Sequence, residues 1–236
     1  MFNTQHILYM VISGVMTVIL LLLAEKGLKK QRQKDGFLKL FAILTVLLHY
    51  SDIWVEYFAN GGQAQIKSIY ILPVYPCNVV MWMLLAAALI KKKQSLPFQM
   101  LAEFCFFIGT LCGVIGIALN ENFDNTPTLA DYSILKGLLS HSAMLLGCLY
   151  MKVGGYVRIR LMNAVSVTAG LLTFVLCGIG VNRLYDHFGM EAPDGMFLRS
   201  NPYMPFSPVW PGIGVIILMF LVLGLREMRK KRKEEK

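Results

Sequence analysis

The stretch HILYMVISGVMTVILLLLA at residues 6–24 contains no acidic residue, no lysine and no arginine. A helix of about 20 such residues crosses the roughly 30 Å hydrocarbon core of a bilayer. Residues 25–39 follow directly and contain a cluster of lysine and arginine. An uncharged run that ends in a basic connection is typical of a transmembrane helix whose second end is cytoplasmic.

The same pattern recurs along the chain, which has 236 residues, 56% of them hydrophobic and 16% charged. Soluble domains carry about 25% charged residues. The apolar runs predict seven transmembrane helices, at residues 6–24, 37–58, 73–90, 98–119, 137–153, 159–181 and 206–225. We therefore predict an all-α, polytopic membrane helix bundle. Residues 1–225 are expected to form a single seven-helix domain, and residues 226–236 a basic cytoplasmic tail.

The basic residues fall almost entirely in alternate connections and in the tail. The opposite set of connections contains four of them, Lys67, Lys136, Arg183 and Arg199. This asymmetry predicts an outside N-terminus, a cytoplasmic C-terminus and multi-pass insertion in the cell membrane. The net charge of +9 is then mainly an orientation signal. Nucleic-acid binding is not expected, because the basic residues are split among four short segments.

Three ionisable residues, His49, Asp52 and Glu56, lie within the second predicted span. Their spacing of three and four residues puts them on one helical face. Ionisable groups inside a membrane are costly and indicate a functional or paired position. Three interpretations stay open: a polar network that joins helices, the lining of a substrate or proton site, and, for Glu56, an interfacial position.

Cys77 and His141 are predicted at matched depth, each about one turn inside the outer boundary of its span. Pro76 precedes Cys77, so a helix that begins there would place the thiol in its first turn. A helix N-terminus favours a thiolate and stabilises an oxyanion. A thiol and an imidazole at one depth are candidates for a nucleophile and its base. The simpler interpretations are a packed cysteine and a histidine that bonds to a neighbouring helix.

Other features complete the set of candidates. The cysteines show neither zinc-ligand spacing nor a disulfide pattern, so we expect no metal and no cofactor. Arg199 is a candidate contact for a lipid phosphate. The run Met196-Phe197-Leu198 predicts that its loop folds back over the bundle. Gly109, Gly113 and Gly116 predict close helix packing along the fourth span.

Several short motifs occur in order: residues 73–78 (PVYPCN), Ser140-His141-Ser142 followed by Tyr150-Met151, and Asn182 followed by residues 195–202 (GMFLRSNP). Over about residues 37–225 the chain resembles the YwaF-like bacterial integral membrane family. That family is related to the eukaryotic transmembrane protein 164, an acyltransferase of ether phospholipids. Asn78 stands where the eukaryotic relatives have histidine, and Asp194-Gly195 stands where the family usually has Asn-Tyr.

The resemblance implies a membrane acyltransferase with Cys77 as nucleophile and His141 as its base. We expect acyl transfer between membrane lipids, one the acyl donor and the other the acceptor, through a cysteine thioester near the outer leaflet. His49 or Asp52 would orient the imidazole, and Asn78 would donate to the oxyanion. The alternative is a small-solute or proton-coupled transporter that uses His49, Asp52 and Glu56. The sequence indicates no oligomeric state.

Overall fold

The computed structural model describes residues 3–59, 61–62, 72–119, 128–189, 194–199 and 209–234, with side chains described as far as residue 229. Lys67, Pro202 and residues 206–208 of the seventh predicted span lie outside these ranges. Within them, every regular element is helical, as predicted. The elements are α1 (Thr4–Gly27), α2 (Gln31–Ala59), α3 (Pro76–Leu89), α4 (Leu96–Phe104), a π-helical turn (Cys105–Gly109), α5 (Thr110–Ala118), α6 (Tyr132–Val153), α7 (Met162–Phe188), a 3₁₀ turn (Gly195–Phe197) and α8 (Val209–Glu234).

Six helical segments of the described chain are long and apolar enough to cross a membrane. They are α1, α2, the continuous segment Leu96–Ala118, α6, α7 and Val209–Arg229 of α8. The chain is therefore a multi-pass membrane protein, as the sequence predicted. The third predicted span, residues 73–90, differs, because α3 has 14 residues. Its rise of about 21 Å is less than the thickness of the hydrocarbon core.

Local sequence explains the short third helix. Proline disfavours the helical conformation in the residue before it but is accepted at the first helical position, so α3 begins at Pro76 and does not run through from Pro73. At the other end, the Lys93 Nζ donates to the carbonyl oxygens of Ala87 and Ala88 at 2.9 and 3.1 Å. A lysine there satisfies carbonyls that the last helical turn leaves unpaired. Both ends of α3 are thus fixed by residues next to it.

The fifth span begins at Tyr132, earlier than the predicted residue 137. Asp131 is the N-cap of α6, and its carboxylate accepts from the amides of Ser133 and Ile134 at 2.8 and 3.4 Å. The helix therefore includes Lys136, which we had assigned to an outside connection.

The described contacts divide the chain into two compact units. The first unit consists of Met1–Lys67 and Val80–Val157, and the second of Ser68–Val79 and Arg158–Lys236. In the first unit α6 is the central helix, since 61% of its most apolar window is buried, against 11% for α1. The single domain over residues 1–225 stays a prediction.

Glycines bring the fourth span against α6, as predicted. A β-carbon at Gly113 would lie 2.9 Å from the Leu145 Cβ, and one at Gly109 would lie 2.5 Å from the Cys148 Sγ. Both distances are shorter than a normal non-bonded contact. The π-helical turn that ends at Gly109 faces the same helix. Larger side chains at these glycines would force the two helices apart.

The connection after α6 is attached to the start of α2. The Tyr156 hydroxyl donates to the Asp35 carboxylate at 2.6 Å, and the Gln31 amide donates to the same carboxylate at 2.9 Å. Burial, followed by the hydrogen bond to the Asp35 carboxylate, raises the pKa of Tyr156. The phenol therefore stays protonated at neutral pH and acts as a donor.

Candidate active site

Cys77 lies in the first turn of α3, as predicted, as its second residue. The turn is closed reciprocally: the Tyr75 amide donates to the Asn78 Oδ1 at 2.9 Å, and the Asn78 amide donates to the Tyr75 carbonyl at 3.0 Å. The Asn78 side chain thus accepts from the residue before the helix, as the side chain of the third helical residue does in a capping box. Because the Asn78 Oδ1 accepts from an amide, its Nδ2 is the donating atom of that side chain. The half-buried Cys77 thiol is thus carried by a rigid turn at the positive end of a helix dipole.

The segment before Cys77 is anchored by the loop that was predicted to fold back. The Met196 amide donates to the Val74 carbonyl at 2.7 Å, and both side chains are almost fully buried. Tyr75 stacks near Phe197, with ring centroids 5.5 Å apart. Met196 and Phe197 have φ values of 57° and 56°, an uncommon left-handed conformation for residues other than glycine. The strained backbone thus lies where the Met196 amide hydrogen-bonds to the Val74 carbonyl.

Asn182 holds this loop on α7. Its Oδ1 accepts from the Gly195 amide at 2.7 Å, and its Nδ2 donates to the Asp194 carboxylate at 3.2 Å. A β-carbon at Gly195 would lie 2.9 Å from the Asn182 Oδ1, so no larger residue fits there without a shift. Asn182 appeared in the sequence motif, but its role as the residue that fixes the loop was not predicted.

Arg199, the predicted lipid-phosphate contact, is exposed and already paired. Its guanidinium binds both carboxylate oxygens of Asp186, with Nη1 at 2.9 Å from Oδ1, and its amide donates to Asp194 at 2.6 Å. A planar guanidinium prefers such a two-point contact with a carboxylate or a phosphate. A lipid phosphate at this site would therefore have to replace Asp186.

His141 belongs to the first unit and faces α5. Its Nδ1 lies 2.8 Å from the Gly137 carbonyl oxygen. A carbonyl oxygen only accepts, so Nδ1 carries the hydrogen and Nε2 is the basic atom of the neutral ring. The ring occupies the space that Gly116 leaves: a β-carbon there would lie 1.9 Å from the His141 Cδ2 and 2.3 Å from its Nε2. Gly116 was predicted as a packing glycine, and the structure shows that it accommodates the imidazole.

Asp52 pairs with Lys136 across α2 and α6. The Lys136 Nζ lies 2.5 Å from the Asp52 Oδ2, and these side chains are 11% and 8% exposed. The Ser133 hydroxyl donates to the other carboxylate oxygen at 3.4 Å. Of the open interpretations of the polar stripe, this geometry favours a network that joins helices. The aspartate N-cap at residue 131 was the sequence signal that would have placed Lys136 inside the helix.

The candidate residues fall into both units. His49, Asp52 and His141 belong to the first unit, where His49 lies within electrostatic reach of Asp52, Lys136 and His141. Glu56 is half-buried on the same helix as His49. Cys77, Asn78 and Arg199 belong to the second unit. Across the described part of the chain, no group of three or more histidine, cysteine, aspartate or glutamate residues is arranged to hold a metal ion.

Comparison with other proteins gives one finding. No curated protein and no solved structure matches the chain. A sequence model of the TMEM164 family, by contrast, matches residues 1–226. This match covers the first five candidate spans completely and most of the sixth, and it includes both Cys77 and His141. It agrees with the resemblance drawn from the ordered motifs. The chain belongs to the TMEM164 family.

Proposed function

We propose that this protein is an integral membrane acyltransferase that moves a fatty acyl group between two membrane lipids through a thioester on Cys77. The observation that carries the proposal is the Cys77 turn. It places a thiol at a helix N-terminus, closes the turn with Asn78, and anchors the preceding residue through Met196. Turns held this firmly are typical of positions where a nucleophile must be presented with fixed geometry. A packing cysteine needs no such anchoring.

The first half-reaction charges the enzyme. The His141 Nε2 accepts the thiol proton, and the Cys77 sulfur attacks the ester carbonyl of the donor lipid. The tetrahedral oxyanion is stabilised by the N-terminus of α3 and by the Asn78 Nδ2. When the intermediate collapses, the carbon–oxygen ester bond breaks. The departing lipid alkoxide takes the proton from the imidazolium, which leaves a neutral histidine, a deacylated lipid and an acyl-thioester.

The second half-reaction reverses these roles. A hydroxyl of the acceptor lipid gives its proton to the His141 Nε2 and attacks the thioester carbonyl. The carbon–sulfur bond breaks, and the Cys77 thiolate recovers the proton. Water in place of the lipid hydroxyl would give hydrolysis, so the acceptor lipid must exclude water from the thioester. All atoms are supplied by the two lipids, and the step needs no cofactor.

The remaining candidates have supporting roles in this proposal. His49 lies on α2 within electrostatic reach of His141 and orients the imidazole. Asp52 acts through its ion pair with Lys136, which fixes α2 against α6. Glu56 extends the same polar stripe toward the outer boundary of the membrane. Arg199 contacts a lipid head group when its pairing with Asp186 is exchanged for a phosphate.

We further propose that the N-terminus lies outside and the C-terminus in the cytoplasm of the cell membrane, so that the Cys77 turn lies near the outer leaflet. The distribution of lysine and arginine supports this orientation. A reporter protein that is active only in the cytoplasm, fused after Lys236, tests it. Activity of the same reporter when it is fused before Met1 would contradict the orientation.

The test of the mechanism is detection of the thioester. The full-length protein in bilayer nanodiscs is incubated with a phospholipid that carries a radiolabelled acyl chain, and the label on the protein is measured before and after neutral hydroxylamine, which cleaves thioesters. We expect label on the wild type, none on Cys77→Ala, and unchanged label on Cys177→Ala. Cys177 is a matched control because it is a half-buried thiol of the same unit.

His141→Ala should reduce the rate of labelling by about 10²–10⁴-fold, the usual contribution of a general base. Equal labelling of Cys77→Ala and the wild type would refute the mechanism. The transporter hypothesis makes the opposite prediction: solute uptake that is lost in Asp52→Asn and retained in Cys77→Ser. The Asp52–Lys136 ion pair does not favour it, because a carboxylate held by a lysine is a poor proton carrier.

A further inference from the structure

The C-terminal half of α7 carries four residues that share one helical face: Gly178, Val181, Asn182 and Tyr185. Two of them, Val181 and Tyr185, pack with Val74 in one buried apolar cluster. Tyr75 is partly buried against the same cluster. The extended segment before Cys77 therefore packs directly on this face of α7.

The loop that contains Met196 rests on the other two residues of this face. At Asn182 the loop is held by two side-chain hydrogen bonds, from the Gly195 amide and to the Asp194 carboxylate. At Gly178 there is no room for a side chain: a β-carbon would lie 2.7 Å from the Gly195 carbonyl oxygen and 3.0 Å from the Met196 Cβ. Both distances are shorter than ordinary non-bonded contacts. Gly178 and Asn182 together therefore define the position of the loop on α7.

A backbone hydrogen bond connects this loop to the extended segment. The Met196 amide donates to the Val74 carbonyl at 2.7 Å. To place that amide, Met196 and Phe197 adopt a left-handed backbone, which is costly for residues with a β-carbon. Such strain persists only where the surrounding contacts over-determine it, and it clusters at functional sites. The contacts at Gly178 and Asn182 enforce it here.

A displacement of Val74 reaches the thiol because the residues between them are stiff. Pro76 fixes its own φ angle and disfavours the helical conformation at Tyr75. Asn78 closes the first turn of α3 through its two hydrogen bonds with Tyr75. Residues with so little freedom carry a shift of Val74 to the Cys77 sulfur, whereas a glycine-rich segment would absorb it.

We propose that Gly178 and Asn182 are positioning residues for the Cys77 thiol: through the loop, they fix the place from which the sulfur attacks the donor ester. The kinetic part of this inference rests on the proposed acyl transfer. The mechanical part, that α7 holds the Cys77 turn through Met196, rests only on the contacts of the loop. The two parts are therefore tested with different measurements.

Hydrogen exchange of the full-length protein in bilayer nanodiscs tests the mechanical part. The amides of Val74, Tyr75 and Asn78 are hydrogen-bonded, so the peptide that contains them should exchange slowly. Gly178→Ala forces the loop off α7 and should accelerate this exchange about fivefold or more, the factor that corresponds to loss of one ordinary hydrogen bond. Gly180→Ala is the matched control, because a β-carbon there has no neighbour within 4 Å. It should leave the exchange unchanged.

An exchange of amide and carboxylate between positions 182 and 194 tests the hydrogen bonds of the loop. Asn182→Asp alone places two carboxylates side by side and should release the loop. Adding Asp194→Asn restores one donor between the two side chains, and the carboxylate at position 182 still accepts from the Gly195 amide. The double variant should therefore return exchange at the Cys77 turn to the wild-type rate.

Single-turnover transfer of a radiolabelled acyl chain from phospholipid to Cys77 tests the kinetic part. A role in folding alone would lower the amplitude of labelling, since fewer molecules are competent, and would leave the rate constant unchanged. Gly178→Ala has to move the Gly195 carbonyl oxygen by about 0.7 Å to reach an ordinary contact distance. A misplacement of about 1 Å can cost on the order of 10²-fold in rate. We therefore expect Gly178→Ala to lower the rate constant about tenfold or more at full amplitude, and Gly180→Ala to retain it.

Asn182→Asp should lower the rate constant in the same way, and Asp194→Asn should restore it in the double variant. These two variants give both measurements if Gly178→Ala does not fold. An impaired double variant would show that the loop is not positioned by these hydrogen bonds.

Two further results would overturn the proposal. Exchange at the Cys77 turn that does not respond to Gly178→Ala or Asn182→Asp would show that the loop carries no displacement to the thiol. Altered exchange with a wild-type rate constant would show that the position of the turn does not limit the reaction. Absence of label on the wild type would refute the proposed acyl transfer instead, and hydrogen exchange would still decide the mechanical part.

Discussion

Replacement of Gly116 by alanine tests whether the position of His141 matters for the reaction. The new β-carbon would lie 1.9 Å from the His141 Cδ2, whereas non-bonded carbons approach to about 3.5 Å. The imidazole must therefore retreat by about 1.6 Å, and its Nε2 moves with it. A misplacement of about 1 Å at a reacting group can cost on the order of 10²-fold in rate. We expect Gly116→Ala to slow thioester formation about 100-fold.

The assay measures the rate of label transfer from phospholipid to protein, together with the thermal unfolding midpoint in detergent. Overpacking costs about 1–3 kcal/mol, and about 1 kcal/mol of this is offset because alanine is a better helix former than glycine. The variant should therefore stay folded. Gly14→Ala is the matched control, because a β-carbon at this position of α1 has no neighbour within 4 Å. It should keep the wild-type rate.

The result that would refute this reasoning is a folded Gly116→Ala protein with the rate of the wild type. The imidazole would then not be the base, whatever the role of Cys77. A loss of rate in Gly14→Ala of similar size would show instead that any added methyl group in the bundle impairs the reaction. In that case the clash at Gly116 would explain nothing.

Two further predictions follow from the ionic contacts. Lys136→Met should lower the free energy of unfolding by about 3–5 kcal/mol, because it leaves the Asp52 carboxylate buried without its cation. Adding Asp52→Leu to this variant should restore much of the lost stability, as measured by thermal melts. A double variant less stable than the single variant would contradict this prediction. Tyr156→Phe removes a hydrogen bond to the Asp35 carboxylate and should cost about 1–2 kcal/mol at neutral pH. Because the pKa of Tyr156 is raised in the folded protein, its contribution is complete below the ordinary tyrosine pKa of about 10 and declines as pH rises above it. Melting temperatures recorded above pH 10 should fall more steeply for the wild type than for Tyr156→Phe, and parallel curves would exclude this linkage.

The sequence could predict part of the candidate site because some of its geometry is local. Pro76 ends the extended segment and starts a helix, so the place of Cys77 in the first turn follows from neighbouring residues. The cap at Asp131 is equally local, and it places Lys136 inside α6 and not in the outside connection that the apolar runs predicted. The hydrogen bond between the Met196 amide and the Val74 carbonyl could not be predicted, because it joins residues far apart in the chain. It also depends on a left-handed backbone at Met196, which the amino-acid sequence does not indicate.

The sequence by itself determined the class of protein, the helical content and the approximate position of six spans, because long apolar runs have one stable form in a membrane: a helix that pairs all its own backbone groups. Tertiary structure alone decided which groups meet. It paired Asp52 with Lys136 and placed His141 against Gly116. The physical reason is that hydropathy reports depth in the membrane, whereas contact depends on the rotation of each helix about its axis. Rotation is set by packing between helices, such as the close approach at Gly113, and not by the residues of a single span.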